Sequence, residues 1–423
     1  MTAQGGTTAG LVREGILFSD VLRFAVHDGA GRRAKVQDLA VDPAGGEFPA
    51  VRFVLGRRER QEVACSWAEL RPYWRYRRFE VDSLEASPPV NLEHLVLLRR
   101  DVLDGLLVDV PSLTVTRAND LWLHQLDEQL YLGAADTSPW AVVRRLARGC
   151  LGHGRGEHLL DWKNVEYLRG EPTTARAAGD YHAGLADLNA GSLARLAEAL
   201  PYFEGTELLL MVSADAAAHA LEVMAPAVRL QIFEELPPDR AVEVLSRMTP
   251  DAATDLLGLV ESSQALHFLE LLPHAAAEKV VELLRYSPDT AGGIMTNDLI
   301  AMATTASAGE VLELLKDRLQ GTAYFQTIFA TDGAGRLRGQ FTLRQLLLAN
   351  QDQAVATIMS AAQLTAAPLE PARDAAHRLI DNQLGALPVV AHDGRLIGTV
   401  TLDAAVALVA PAAWRDRAPR IFA

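Results

Sequence analysis

His153, Glu157 and His158 fall within one hexapeptide, HGRGEH, and two histidines with a carboxylate could hold zinc for hydrolysis. A helical zinc site sets its histidines one turn apart, whereas these are separated by glycine-flanked residues, so a loop is the better reading. The stretch RPYWRYRRF at 71–79 mixes arginine with aromatic rings and could meet anionic lipid or nucleic acid. The commoner role of such a stretch is an amphipathic strand or loop that packs its rings inward. Cys65 and Cys150 stand far apart, with no histidine or cysteine at ligand spacing. That pattern excludes a disulfide scaffold and a zinc ribbon, and it suits a reducing compartment. No GxSxG elbow, P-loop or dinucleotide fingerprint occurs, and no nucleophile or acid–base pair converges. The expectation is a protein that is not an enzyme.

A formal charge of −14 argues against general nucleic-acid binding, because phosphate neutralisation needs a basic surface. It also leaves carboxylates available for hard cations. At 423 residues the chain is too long for one core, so two to four domains are expected. The N-terminal stretch MTAQGGTTAGLVREG has no basic flank before an apolar run, and no run of about 18 apolar residues occurs anywhere. A cytoplasmic protein without transmembrane helices is expected.

Three kinds of periodicity follow one another. Residues 11–170 carry short β-type runs with turn signals: FAVHDGAGRRAKVQDLAVD alternates around Asp28-Gly29, and HLVLLRRDVLDGLLVDV opens a second block of the same character. Each block ends in a tryptophan-centred apolar turn, SWAEL at 66–70 and DWKNV at 161–165. Two small β-barrels in tandem, at 11–88 and 89–170, are expected after a flexible 1–10. EPTTARAAGDYHAG at 171–184 reads as a linker. From 185 to 287 the pattern is helical, with Pro226, Pro238 and Pro250 twelve residues apart, Ser262 at the next step and Pro273 beyond it. Proline suits the first helical position, where no amide proton is needed. The short one-faced helices between these marks must stack into a superhelix, since none can bury its apolar face alone. Residues 288–350 and 351–411 are two copies of an α/β unit, ordered strand, helix, strand, Asp-Gly turn, strand, helix. Gly335-Arg336-Leu337 recurs as Gly394-Arg395-Leu396, and IMTNDLIAM at 294–302 recurs as IMSAAQLTA at 358–366. A tail, 412–423, completes the chain.

FSDVLRFAVHDGAGRRAKVQDLAVD and VLLRRDVLDGLLVDV resemble the PRC-barrel family, and the paired α/β units resemble a CBS pair, a module whose cleft commonly takes adenine nucleotides. The junction LLRYSPDTAGGIMT at 283–296 is similar to the hinge of MgtE-type magnesium channels, between their superhelical N-domain and CBS pair. With LPPDRAVEVLSRMTPDAATDLLG before it and LPVVAHDGRLIGTVTLDAAVALV after it, this resemblance extends over about 190–410. The fold class expected is therefore multidomain α+β: two PRC-like β-barrels, an α-superhelix of short helix hairpins and a tandem α/β CBS pair. In that family five transmembrane helices follow the CBS pair, and magnesium bound between the cytosolic domains holds the pore shut.

The resemblance assigns metal-binding roles to Asp251 and Asp255 of TPDAATD, one helical turn apart on one face, and to Asp403 of TLDAAV. Thr249-Pro250-Asp251 is equally a good helix start, with the acid favoured by the helix dipole. Other ligand positions have changed: His219, Arg373, Gln383, Ala404 and Ala407 stand where the family is acidic, although Asp374 and Asp381 lie nearby. The acidic linking helix is replaced by Pro411–Ala423 with three arginines. For an adenine nucleotide such as ATP the resemblance assigns Thr342, Arg344 and Thr401. Gln345 replaces the aspartate expected on the ribose, and Leu384 the aromatic expected on adenine. Thr342 and Thr401 also read as β-branched strand residues. These features imply a cytoplasmic regulator that binds Mg²⁺ or another divalent cation such as Mn²⁺, or ATP. It would be a homodimer through the CBS pair and would act on a separately encoded divalent-metal transporter at the inner face of the membrane. It would bind no nucleic acid and insert into no bilayer. A constitutive adaptor with decayed ligand sites is the alternative, as is a transport component of MgtE type without its own pore.

Overall fold

The structure is a computed structural model that describes residues 15–43, 48–58, 61–84, 91–92, 94–147, 158–168, 183–318 and 327–410. The expected flexible N-terminus at 1–10, the linker over 171–182, the tail at 412–423, Cys150 and most of HGRGEH lie outside them. The chain divides into two compact units, one of residues 1–224, 231–237 and 418–423, the other of 225–230 and 238–417.

In the first unit the chain runs through β1 (Ile16–Leu17), β2 (Ala25–Asp28), β3 (Arg33–Asp42), β4 (Ala50–Arg58), β5 (Gln61–Ser66), β6 (Arg71–Tyr73) and β7 (Arg78–Val81). The second block repeats the theme with β8 (Val96–Leu97), β9 (Leu106–Asp109), β10 (Thr114–Arg117), β11 (Asp120–Leu126), β12 (Gln129–Asp136), β13 (Leu159–Asp161) and β14 (Val165–Leu168). The two tryptophan turns noted in the sequence are single 3₁₀ turns, Trp67–Glu69 and Trp162–Asn164, and both indoles are buried.

The repeats exchange strands. β1 of the first block lies antiparallel to β11 of the second, with Ile16 opposite Leu123, and β8 of the second lies antiparallel to β3 of the first, with Ala40 opposite Leu97. One core therefore serves both blocks: Phe18, Phe24, Leu39 and Phe79 pack in the same cluster as Leu98, Leu107, Leu121 and Trp162.

Two buried carboxylates cross in the same way. Asp38 on β3 accepts from the backbone N–H groups of Arg99 (2.7 Å) and Arg100 (3.1 Å), closing a wide helical turn in the second block. Asp120 on β11 accepts from the backbone N–H (3.2 Å) and hydroxyl (2.6 Å) of Ser19, in the helical turn Phe18–Val21 of the first. Helix α1 (Pro139–Leu146) adds Arg144, buried, which donates to Asp136 at 2.8 Å and stands 3.8 Å from Asp120. Beyond the single turn Ala183–Ala186, three longer helices among the described residues belong wholly to this unit: α2 (Ala190–Ala199), α3 (Tyr202–Leu210) and α4 (Ala214–Val223). They bury Leu193 and Leu196, Leu208 and Leu209, and Ala217 and Leu221.

Helix α5 (Pro226–Glu234) divides between the units. The second unit continues with α6 (Pro238–Arg247), α7 (Pro250–Leu257), α8 (Ser262–Leu271) and α9 (His274–Leu283). Each of these helices begins at the expected mark, three on proline itself and α9 directly after Pro273. Burial follows the helical period: Ala241, Val244 and Leu245 on α6, then Ala253, Leu256 and Leu257 on α7. The first α/β copy is β15 (Ala301–Ala303), α10 (Ala308–Arg318), β16 (Thr327–Thr331), β17 (Leu337–Thr342) and α11 (Leu343–Leu348). The second is α12 (Ala372–Asp381), β18 (Ala386–Val390), β19 (Leu396–Thr401) and α13 (Leu402–Val409). Its opening strand is reduced to one parallel bridge, Ala366 to Val389. The expected mixed α+β architecture is observed, and no described helix is long and apolar enough to cross a membrane.

Burial raises the Asp38 carboxyl from 3.8 to about 6, against the pull of its three backbone donors, Arg99, Leu39 and Arg100. The folded state therefore holds a proton that the unfolded chain has released, and this group's contribution falls as pH rises from about 4 through about 6. Asp38→Asn should flatten the pH dependence of unfolding across that window by up to about 3 kcal/mol. Urea titrations of both proteins at the two ends of the window would measure it, and identical slopes would refute the assignment.

Candidate functional site

The second unit contains the residues singled out for ligand chemistry, and its geometry starts from the junction 284–296. Backbone donors of this segment reach forward past the first α/β copy. Ala291 N–H donates to the Glu370 carbonyl (2.8 Å) and Gly292 N–H to that of Pro368 (2.8 Å), while Ala372 N–H donates back to Asp289 (2.8 Å). Thr296 and Thr399 exchange a pair of 2.9 Å backbone bonds. Leu283 at the end of α9, with Ala291 and Met295, is buried in the core of the second copy among Ala376, Leu379, Leu387 and Val400. The equivalent segment before the second copy does the converse, since Ser360 and Gln340 exchange 2.9 Å bonds in the first. The repeated IMT and IMS segments thus each complete the other copy. Gly339 and Gly398 recur because these segments cross there: a Cβ on Gly339 would stand 2.5 Å from the Ser360 carbonyl oxygen, and one on Gly398 would stand 2.5 Å from the Met295 sulfur.

The recurrent Gly-Arg-Leu tripeptides meet each other. Leu337 N–H donates to the Gly394 carbonyl and Leu396 N–H to that of Gly335, both at 3.1 Å, which bridges Arg336 to Arg395. Gly335 (φ 75°) and Gly394 (φ 81°) close the preceding turns in the left-handed region. Asp332 braces the first turn, accepting from Ala334 N–H (2.9 Å), Arg336 N–H (3.0 Å) and the Arg338 guanidinium (2.8 Å). The Arg336 backbone bond, followed by the other donors, holds its carboxyl below the usual range.

This two-fold relation makes Thr342 and Thr401 equivalent. Each ends a strand and caps the next helix: Thr342 Oγ1 accepts from Gln345 N–H (3.3 Å) and Thr401 Oγ1 from Ala404 N–H (3.2 Å). Gln345, at the position expected for a ribose-holding aspartate, turns back to accept from Thr342 N–H (2.9 Å) and completes a capping box. Directly after the leucine of each copy's Thr-Leu pair stand Arg344 and Asp403, of opposite charge. Both are exposed, and neither has an ion pair or hydrogen bond among the described residues. Arg344 is thus open to an anionic phosphate.

Asp251 and Asp255 stand on one side of α7, as their spacing requires. Asp255 is exposed as a residue, yet partial enclosure of its carboxylate raises its pKa while Arg229 draws it back down. Arg229, on α5, is buried, with its Nε unsatisfied. Among the described residues no three His, Cys, Asp or Glu side chains gather as a metal cluster. Asp251, Asp255 and Asp403 are therefore not brought together as one three-ligand site. The carboxylate pair on α7 can meet a hydrated Mg²⁺, which keeps several waters and needs one or two protein carboxylates. Sequence reasoning missed Arg229, because its relation to Asp255 spans two helices and follows no local pattern.

A tandem α/β pair joined about a two-fold relation to a stack of short helices defines a CBS module carried on an α-superhelix. Residues 188–289 match the MgtE intracellular N domain and residues 355–410 the CBS domain. The magnesium transporter MgtE of Thermus thermophilus is 34% identical over 121 residues, 29% of this chain and 27% of that protein. The MgtE of Enterococcus faecalis is 28% identical over 122 residues, with the same two shares. The chain thus spans about a quarter of the length of these curated relatives. Among solved structures, the cytosolic domain of the Mg²⁺ channel MgtE in complex with ATP is 28% identical with a TM-score of 0.51, covering 53% of this chain and 92% of that one. The soluble part of a magnesium transporter shares the fold, at 24% identity and the same TM-score, over 54% of this chain and 91% of the other. The chain carries an MgtE N domain and CBS domains homologous to the cytosolic domains of MgtE.

The paired glycines at 292–293 are required for space. A Cβ on Gly293 would collide with the Ser287 carbonyl oxygen, and one on Gly292 would lie 2.6 Å from the Tyr286 ring. Because the obstacle at Gly293 is backbone, Gly293→Ala should cost about 1–3 kcal/mol through forced displacement of the junction. Calorimetry should show a lowered transition, and an unchanged thermogram would contradict the steric account.

Proposed function

We propose that residues 188–410 act as the ligand-responsive part of a non-enzymatic regulator of divalent-cation homeostasis. A divalent cation, Mg²⁺ or Mn²⁺, would be met by Asp251 and Asp255, with Asp403 as a further carboxylate. An adenine nucleotide such as ATP would be met by Thr342, Arg344 and Thr401. The observation that carries this reading is the likeness at 28% identity, over 92% of its length, to an MgtE cytosolic domain in complex with ATP. A ligand bridging two elements favours the arrangement it binds best, by its differential affinity for the two states. The output would be contact with a membrane transporter of divalent cations, encoded separately, at the cytoplasmic face. A homodimer through the CBS copies fits this role, and Leu347, Leu348, Leu402 and Val406 present exposed apolar surface on α11 and α13.

A second reading, a constitutive adaptor, is supported by two particular observations. Gln345 is engaged in a helix cap where a ribose ligand is expected, and Asp255 already has Arg229 as a counter-charge.

Thermal unfolding of the whole chain, titrated separately with Mg²⁺, Mn²⁺ and ATP, distinguishes them. A ligand at 100 times its Kd should stabilise the native state by about 2.7 kcal/mol. The regulator reading expects a metal shift that Asp251→Ala with Asp255→Ala abolishes, or an ATP shift that Arg344→Ala abolishes. No shift with any of the three at millimolar concentration would leave the adaptor.

A further inference from the structure

The outward face of the first unit's sheet carries a basic band that the ligand chemistry above does not use. Strand register places Arg57 opposite Lys35, Lys35 opposite Ala25, Ala25 opposite Arg78, and Arg78 opposite Tyr73, in one row across β4, β3, β2, β7 and β6. Directly paired residues share a face; Lys35, Arg57 and Tyr73 of this row are exposed and Arg78 half-buried, with the small Ala25 covered between Lys35 and Arg78, whereas the alternate positions Val26, Val36 and Phe79 are buried. A second row, two residues along, sets Arg33 beside His27 and Arg71 beside Glu80. At the edge, β6 and β7 are joined by the turn Trp74–Tyr76 and by Arg77, whose φ of 51° tips the turn over.

The rings of this hairpin divide by role. Trp74 packs on Phe24 and Phe79, and its Nε1 donates to Gln125 Oε1 at 2.8 Å. Tyr73 and Tyr76 face outward, 38% and 67% exposed, with the Arg78 guanidinium 5.4 and 5.6 Å from their ring centres. Arg33, Lys35, Arg57, Arg75 and Arg77 are exposed and have no side-chain ion pair or hydrogen bond among the described residues. Arg78 pairs with Glu80 (2.6 Å) and Arg71 with Asp82 (3.3 Å). With Glu62 of β5 paired opposite Arg57, these rows and the hairpin hold seven cations against Glu62, Glu80 and Asp82, an excess of four positive charges in a chain whose formal charge is −14.

We propose that this face docks on an anionic phospholipid surface, with the Tyr73–Arg77 hairpin tip in the headgroup layer. Charge complementarity selects an anionic partner. Five strands at about 4.8 Å make a face roughly 20 Å wide, broad enough for several headgroups. Tyrosine and arginine are the side chains that settle at a membrane–water boundary, where an apolar body and a polar tip are both satisfied. A single nucleic-acid strand would need open aromatic faces for base stacking, and each exposed tyrosine here already has a guanidinium near its ring.

The test is co-sedimentation of the full chain with vesicles of phosphatidylcholine, alone or with about a third phosphatidylglycerol. Binding to the anionic vesicles only, weakening with added salt, is expected. Each cation near such a surface contributes about fivefold in affinity, so Lys35→Glu with Arg57→Glu should lower binding at least twentyfold. Arg75→Ala with Tyr76→Ala, at the exposed turn, should lower it without touching the sheet. Arg285→Glu, in the second unit, should leave it unchanged. Equal binding to neutral vesicles, indifference to both double variants, or affinity for a single-stranded oligonucleotide in place of vesicles would overturn the proposal.

Discussion

A carboxylate taken out of water must be met by several donors, and for Asp38 and Asp120 in the first unit part of that set comes from the other half of the repeat. Asp38 receives the backbone of Arg99 and Arg100, and Asp120 receives that of Ser19. Each of these two acids thus draws donors from the opposite block, and neither block keeps its own short opening strand, since β1 and β8 are both lodged in the opposite block. Local folding of one block alone would leave an acid buried and a strand edge open. The two blocks therefore stand or fall together, and the shared core of Phe18, Leu39, Leu98 and Leu121 follows from that crossing.

The second unit obeys the same rule with different chemistry. Its crossing segments are the IMT and IMS repeats, and its bonds are backbone pairs rather than buried charge. The junction after α9 gains its order from the copy furthest along the chain, through Glu370, Pro368 and Thr399. A rearrangement at α9 would consequently be felt first by β18, β19 and α12, whose core receives Leu283 and Met295.

What could be read from the residues was local. Proline at a first helical position has a conformational cause that acts within one turn, so the starts of α5, α6 and α7 were visible as a twelve-residue rhythm. The Asp-Gly turns and the repeated Gly-Arg-Leu were visible for the same reason. Strand exchange was not legible, because the register of β1 on β11 is decided by residues about a hundred positions away. The glycine pair at 292–293 is needed for steric clearance from Ser287 and Tyr286, which no local pattern announces. Among the site residues, the equivalence of Thr342 and Thr401 followed from the repeat, whereas the capping use of Gln345 and the influence of Arg229 on Asp255 required coordinates.

The contact that registers the two α/β copies, Leu337 to Gly394 and Leu396 to Gly335, is made entirely by main-chain atoms. Such a seam is indifferent to most substitutions flanking it. The two copies can therefore differ in their side chains while the backbone contact between them stays in place. Arg344 and Asp403 occupy equivalent positions after the Thr-Leu pairs of the two copies, yet they carry opposite charges. The two copies therefore differ in charge at matched positions, so their electrostatics has a direction that the symmetric backbone lacks.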